Sequence, residues 1–460
     1  MLHTLKDLRS GLLTVESLGT DRRLKLAEGL TEFPREIFAL AEAIKILDLS
    51  ENALSSLPDD FGRFKSLKIL FLSNNNFNHI PKVISECPEL EMISFKSNQV
   101  QVVSEQALPI KTRWLILTDN KINKLPDAMG KLYRLQKLAL SGNELMTLPD
   151  SMANCKNLEL IRLSANNFSE MPEWLFKLPK LAWLAFSGNP CTSVYDNNKI
   201  NLKSVQLADL KLGQQLGQGA SGVIYEGQWL EHLDHQNGRG SNQSVAVKLF
   251  KGSVTSDGYP SDELKCCLTG GDHKNIIKAV AQIPCSKQLG LVMELIPCSF
   301  VNLGLPPTLK TCTRDTFQKG TVFAIETIQF IAQQMISALQ NVHANEISHG
   351  DIYAHNIMIN KSAHVLFGDF GAATCFSGLA KHLKLGLVTI EMRALGYLLD
   401  DLLSNMSTEW MQMESSSQVN QVRWERYNQL IIIKNGCING TYAQGNKFNV
   451  DACVNNLAIE

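Results

Sequence analysis

An apolar residue recurs at Leu24, Leu47, Leu70, Ile93, Leu115, Leu138, Ile161 and Leu184, at steps of 23 residues with a single step of 22. A second apolar residue follows each of these two positions later, from Leu26 to Phe186. Five positions after each, from the second copy onward, stands Asn52, Asn75, Asn98, Asn120, Asn143, Asn166 or Asn189; the first copy has Gly29 there. A unit this short cannot bury its own apolar face, so the copies must stack and share one continuous core. Two inward side chains two residues apart need a short strand, and the amide that follows can satisfy backbone groups as the chain turns out of the sheet. Pro34, Pro58, Pro81, Pro126, Pro149 and Pro172 fall where the chain has left the strand and a missing N–H costs nothing. The fourth copy has Val102-Val103-Ser104 in place of Leu-Pro, which predicts an irregular outer segment.

The unit LxLxxN is the signature of leucine-rich repeats, and it implies an α/β solenoid over residues 24–190 with a parallel sheet on its concave face. Residues 1–23, with Leu2, Leu5, Leu8, Leu12 and Leu13, are expected to form a helical cap, and residues 191–208 a cap or short linker. Strand alternation sends Ile46, Ile69, Met92, Trp114, Lys137, Leu160 and Trp183 to one column of the concave face, apolar except at Lys137. Such a stripe binds something or is covered. The favoured reading is a protein or peptide partner, with Trp114 and Trp183 as anchors and Ile69, Phe71 and Met92 beside them. The bland reading is burial against another part of the chain or a second copy.

The second half carries a different kind of signal. Gly217, Gly219 and Gly222 form GxGxxG, followed by Val223 and Ile224 in a continuing strand where a dinucleotide fold would need a helix. Glycines at these positions let a hairpin close on phosphates with its N–H groups. Val245-Ala246-Val247-Lys248 ends a strand in a lysine, and Glu263, fifteen residues on, is the preferred carboxylate partner, with Asp262 second. Residues 230–244 between them read as a surface insertion. Glu326 to His343 has helical periodicity and leads to His349-Gly350-Asp351-Ile352-Tyr353-Ala354-His355-Asn356, with Gly368-Asp369-Phe370-Gly371 beyond it.

Five separated motifs in this order resemble the protein kinase fold, an α+β bilobal domain, over residues 209–460, divided at about 296 into two lobes. With the repeats in front, the chain resembles the leucine-rich-repeat protein kinases. The resemblance implies ATP with Mg2+ as cofactors. It implies Asp351 as catalytic base, Lys248 and Glu263 as the phosphate-holding pair, and Asn356 and Asp369 as metal ligands. Gly217, Gly219, Gly222, Ile224, Ala246, Met293 and Glu294 would line the nucleotide site, with Met293 at its back. His349 and Phe370 would be packing residues of the regulatory spine.

Four features depart from the family pattern; the first makes loop phosphorylation a poor on-switch, and the third weakens peptide transfer more than nucleotide binding. Gly350 stands where many regulated kinases have an arginine that receives an activation-loop phosphate. Tyr353 and His355 stand where a phosphate-facing cation is usual; its loss costs about 3 kcal/mol of barrier, and a protonated His355 would offset part of that. Residues 372–390 are a short activation segment without Ala-Pro-Glu, leading to a helix expected at Arg393–Leu399, with Glu391 in place of a usual aspartate. Few residues remain for the C-terminal lobe, which is expected to be reduced.

The 44 Lys and Arg balance 45 Asp and Glu, so the chain lacks the field of a nucleic-acid binder. It shows no signal peptide and no apolar run long enough to span a membrane, and its 11 scattered cysteines fit reduced thiols in a cytoplasmic protein. The expected activity is phosphoryl transfer to a protein hydroxyl, Ser or Thr ahead of Tyr. A nucleotide-binding scaffold and a small-molecule phosphotransferase are the competing readings.

Overall fold

The computed structural model describes residues 3–192, 203–219, 221–230, 243–252, 254–255, 257–285, 288–412 and 418–440. Most of the insertion read at 230–244 and of the linker read at 191–208 lies outside these residues. Packing divides the chain into Met1–Leu181 with Asn189–Cys191, and Ala182–Gly188 with Thr192–Glu460.

In the first unit seven three-residue strands, β1 (Arg23–Lys25), β2 (Ile46–Asp48), β3 (Ile69–Phe71), β4 (Met92–Ser94), β5 (Trp114–Ile116), β6 (Lys137–Ala139) and β7 (Leu160–Arg162), pair in chain order and in parallel. The register sets Leu24 beside Leu47, Leu47 beside Leu70 and Leu70 beside Ile93, so the repeated residue forms one inward row that is fully buried. The asparagines do what their chemistry allows. Asn143 donates from Nδ2 to the carbonyls of Leu117 and Leu140, both at 2.9 Å, and its Oδ1 accepts from Ile122 N–H at 3.0 Å. Asn75 repeats this with Leu49 O at 2.9 Å and Leu54 N at 2.9 Å.

The residue before each of the seven asparagines is left-handed, from Glu51 at φ 61° and Asn74 at 54° to Ala165 at 54° and Gly188 at 70°. A non-glycine residue there costs about 1 kcal/mol, which the asparagine bonds offset. Past the prolines the chain makes short 3-10 turns, such as Asp59–Arg63, Lys82–Glu86 and Asp127–Lys131, each with a proline ahead of it. The fourth copy has no such turn, as its missing Leu-Pro predicts. The N-terminal helix α1 is shorter than the leucine pattern suggests, only Leu5–Arg9, capped by Thr4.

The second unit begins with β8 (Trp183–Ala185) and β9 (Lys203–Ser204). Its large sheet has the order β10 (Leu210–Gln218), β11 (Gly222–Trp229), β12 (Gln243–Phe250), β14 (Gln288–Glu294), β13 (Ala279–Cys285), β9. One face packs Val205, Leu210, Trp229, Val245, Val247, Ile283 and Val292 into a core. Helix α2 (Pro260–Thr269) starts with proline at its first turn, where no N–H is needed. Helix α3 (Ile325–Ala344) buries Ile328, Ile331, Ile336 and Leu339, the periodic face read from sequence. Two small ladders follow: β15 (Val301–Asn302), β17 (Ile357–Ile359) and β18 (Val365–Phe367) in one, β16 (Ile347–Ser348) with β19 (Thr374–Cys375) in the other.

Helix α4 (Lys381–Ser404) corrects one expectation. It starts twelve residues before Arg393, so about half of residues 372–390, read as activation segment, is helix. Gly386 and the β-branched run Val388-Thr389-Ile390 argue weakly against helix, but Leu387 and Ile390 are fully buried, and packing outweighs propensity. Helix α5 (Gln418–Asn439) packs on α4: a Cβ on Gly396 would meet Ile438 Cγ1 at 2.8 Å and Cys437 Cβ at 3.0 Å, so this position needs glycine. Among the described residues no helix is long and apolar enough to cross a membrane.

Candidate active site

Register alone brings together the residues expected to line a nucleotide site. Ile224 pairs with Lys248, Ala246 with Met293, and Lys248 with Leu291, so Ile224, Ala246, Lys248, Leu291 and Met293 share one face of the sheet. Glu294 ends β14 exposed on the other face, and its N–H donates to Lys278 O at 3.0 Å. The glycine hairpin closes through Gly219 N–H to Gly222 O at 2.9 Å. Gly217 and Gly219 have nothing within 4 Å of where a Cβ would be, which leaves their backbone open, whereas a Cβ on Gly222 would come within 2.5 Å of Leu249 O on the next strand.

Lys248 and Glu263 form a buried ion pair, 7% and 3% exposed, and Lys248 Nζ lies 3.7 Å from Asp369 Oδ1. Burial works against the lysine charge, but Glu263 and Asp369 more than offset it and push its pKa up. Burial pushes Glu263 up, with Lys248 opposing. Asp369 has a left-handed backbone, φ 57°, and accepts from Gly371 N–H at 3.4 Å while its carboxylate stays half exposed. Two anionic oxygens and one cation thus meet beside an open glycine hairpin, a donor set suited to phosphates with a divalent ion.

Asn356 donates to Asp351 O at 3.0 Å and to Asp351 Oδ2 at 2.8 Å, tying together the two ends of the 351–356 loop. His349 is fully buried, stacked on Phe367 at 3.9 Å, and its Nε2 donates to the carbonyl of Gly368 at 3.0 Å; burial lowers its pKa. Phe370 packs against His349 at 4.8 Å and within the cluster of Cys266, Val342 and Ile347.

Three functional contacts were not visible as such in the sequence. Asp315, in a Thr-rich stretch with no motif around it, holds His355 Nδ1 at 2.7 Å; burial opposes the imidazolium, but Asp315, Asp351 and Asp369 raise the His355 pKa. Glu391 on α4 accepts from Gly350 N–H at 2.6 Å and bonds His343 Nε2 at 2.7 Å. Burial would raise this carboxyl, but His343 and Gly350 bring it below its ordinary range. Tyr353 is buried and stacks flat on Trp183, with ring centres 4.6 Å apart and planes at 3°.

Leucine-rich repeats match at residues 28–77, 42–100, 110–168 and 134–190, and the protein kinase domain matches over residues 210–399. The chain is an N-terminal leucine-rich-repeat region fused to a protein kinase domain. It is similar to a probable serine/threonine-protein kinase of Dictyostelium discoideum, 25% identical over 178 residues. That alignment covers 37% of this chain and 30% of the relative's length.

The kinase domain brings Lys248, Glu263 and Asp369 together and joins Asn356 to Asp351. The proposed partner surface is less uniform. In the repeat unit Ile69, Phe71 and Trp114 are half-buried and Met92 is 6% exposed, while Lys137 Nζ lies 4.4 Å over the Trp114 ring. Trp183, expected as an exposed anchor, is 2% exposed and belongs by packing to the kinase unit, where Tyr353 and Tyr397 cover its faces. It is not available to a partner in this arrangement.

Proposed function

We propose that the kinase domain transfers a phosphoryl group from ATP to a protein hydroxyl, with Ser or Thr favoured as acceptor, and that the repeats recruit a protein through Trp114, Ile69 and Phe71. The observation that carries the reading is the buried Lys248–Glu263 pair set 3.7 Å from Asp369. ATP with Mg2+, when bound, supplies the phosphoryl group and the metal charge, and Asn356 and Asp369 are the residues that would hold the metal. Asp351, held by Asn356, accepts the acceptor hydroxyl proton as the oxygen attacks phosphorus, and ADP departs with the cleaved bridging oxygen. Lys248 steadies the phosphates, and Ile224, Ala246 and Met293 offer an apolar face to the base. The relative's description as a serine/threonine-protein kinase supports the acceptor class.

A second reading draws on α4, which leaves only residues 372–380 between the Asp-Phe-Gly motif and the helix. So short a segment offers little platform for a peptide, which suits a nucleotide-binding scaffold or a small hydroxyl acceptor. Labelled ATP and Mg2+ incubated with the full chain and generic protein acceptors decide between them. Incorporation that Asp351→Asn abolishes supports protein phosphorylation. ATP binding that Lys248→Met weakens, without transfer in any arm, supports the scaffold.

A further inference from the structure

Residues Ala182–Gly188 follow the repeat pattern in sequence yet pack as part of the kinase unit. The Trp183 indole N–H donates to Ile352 O at 3.0 Å, one residue past Asp351. Its ring lies flat on Tyr353, and Tyr397 of α4 stacks at 5.5 Å with planes at 23°. Three residues on, Phe186 N–H donates to Thr374 Oγ1 at 3.2 Å, in the short segment after Asp-Phe-Gly. Gly350 is left-handed, φ 73°, and a Cβ there would stand 2.9 Å from Leu184 O and 2.6 Å from Ala372 O. At the far end, a Cβ on Gly188 would meet Tyr259 at 2.6 Å and Asp262 Oδ2 at 2.7 Å, at the start of α2, the helix that carries Glu263.

One stretch of chain therefore touches the catalytic loop, the segment after Asp-Phe-Gly, α4 and the head of α2. The sequence departures meet there as well. Gly350 leaves room for the Leu184 carbonyl, Tyr353 supplies the flat face for Trp183, and the shortened segment supplies Thr374. What reads in sequence as three losses is, in space, a seat for a strand of the same chain.

We infer that residues 182–188 act as an internal brace that holds the Asp351 loop and the Glu263 helix in working register, with Trp183 as the positioning residue. The brace replaces the arginine-and-phosphate contact that orders longer activation segments, so activity needs no loop phosphorylation. This deepens the kinase reading and rests on it for its consequence on turnover, but not for its consequence on the loop.

The test compares the full chain with Trp183→Ala and Trp183→Phe. Phe keeps the stacking on Tyr353 and loses only the bond to Ile352 O. Two readouts are taken: ATP turnover with Mg2+, separated into kcat and KM, and amide hydrogen exchange over residues 349–356 and 372–380. Trp183→Ala is expected to lower kcat roughly 30-fold with the KM for ATP within about twofold, and Trp183→Phe to recover most of it. Exchange in the two segments should rise at least tenfold in Trp183→Ala while β12 stays protected. A rise in kcat would overturn the brace and make the strand an inhibitor; unchanged kcat and exchange would make it inert packing. If the parent chain shows no turnover that Asp351→Asn removes, the kinase reading fails by itself, and the exchange result still decides the brace: unchanged protection overturns it.

Discussion

Replacing Lys248 by methionine separates what the buried ion pair does for the fold from what it does for nucleotide. Glu263 is 3% exposed and Lys248 7%, so the substitution leaves a carboxylate in the interior with no cation beside it. Breaking one side of such a pair costs about 3–5 kcal/mol, because the remaining charge keeps its desolvation penalty. For a domain of this size that is about 6–20 °C in melting temperature, at ~2–4 °C per kcal/mol. The half-exposed Asp369 adds little, since solvent screens it.

The loss depends on pH in a defined direction. Without Lys248, the folded-state pKa of Glu263 lies further above the unfolded value, which is near the model-compound value of 4.5. The native state then holds a proton that the unfolded state has released, so stability falls as pH rises, by about 1.4 kcal/mol per pH unit until the raised pKa is passed. The penalty should nearly vanish near pH 4.5 and be largest at pH 8. Replacing both partners, Lys248→Met with Glu263→Leu, removes the stranded charge and should return the stability to within about 2 kcal/mol of the parent, with nucleotide binding still lost. Calorimetry at pH 5 and pH 8, with fluorescent-nucleotide titration alongside, measures all three. A single variant that melts with the parent at pH 8, or a double variant as unstable as the single one, would refute the reasoning.

Asn143→Ala should cost the repeat unit about 2–4 kcal/mol in urea unfolding, since it strands the buried Ile122 N–H and two carbonyl contacts; a loss under ~0.5 kcal/mol would deny the asparagine row its structural part. Gly222→Ala should destabilise the kinase domain by about 1–3 kcal/mol through its clash with Leu249 O, whereas Gly217→Ala, with open space around it, should melt like the parent and weaken only nucleotide binding. His355 has its folded pKa raised above the ordinary histidine value of 6.5, so its contribution is complete below that value and is lost as pH rises through the native one. Asp315→Asn should therefore destabilise more at pH 6 than at pH 9, read as the difference between two melting curves.

The repeat half was almost wholly legible, because a 23-residue period with asparagine in register admits one kind of stacking and the strand register follows from it. The left-handed residues before the asparagines were not, since Glu51, Asn74, Ser97, Asp119 and Ala165 share no side-chain chemistry and only the ladder imposes their backbone. In the kinase domain the charged site was readable from spacing: Lys248, Glu263 and Asp369 meet as their motifs imply. Asp315 gave no signal, being joined to His355 only by the fold. The early start of α4 was hidden by Gly386 and the β-branched residues after it, whose burial only tertiary packing decides. Trp183 was misplaced for a related reason. Period fixes which way a strand residue points, but not whether that side is open.

The asparagine row also constrains how this array can change length. Asn75 reaches back to Leu49 and Leu54, Asn143 to Leu117 and Ile122, so each copy is stitched to the one before it at two fixed offsets. Excising a whole copy, for example residues 70–92, rejoins equivalent stitches, while excising ten residues leaves one seam with donors facing the wrong partners. Lineages carrying this protein should therefore gain or shed repeats in whole quanta, with changes of a residue or so tolerated chiefly on the outer curve, as the fourth copy, one residue short and without its 3-10 turn, already illustrates.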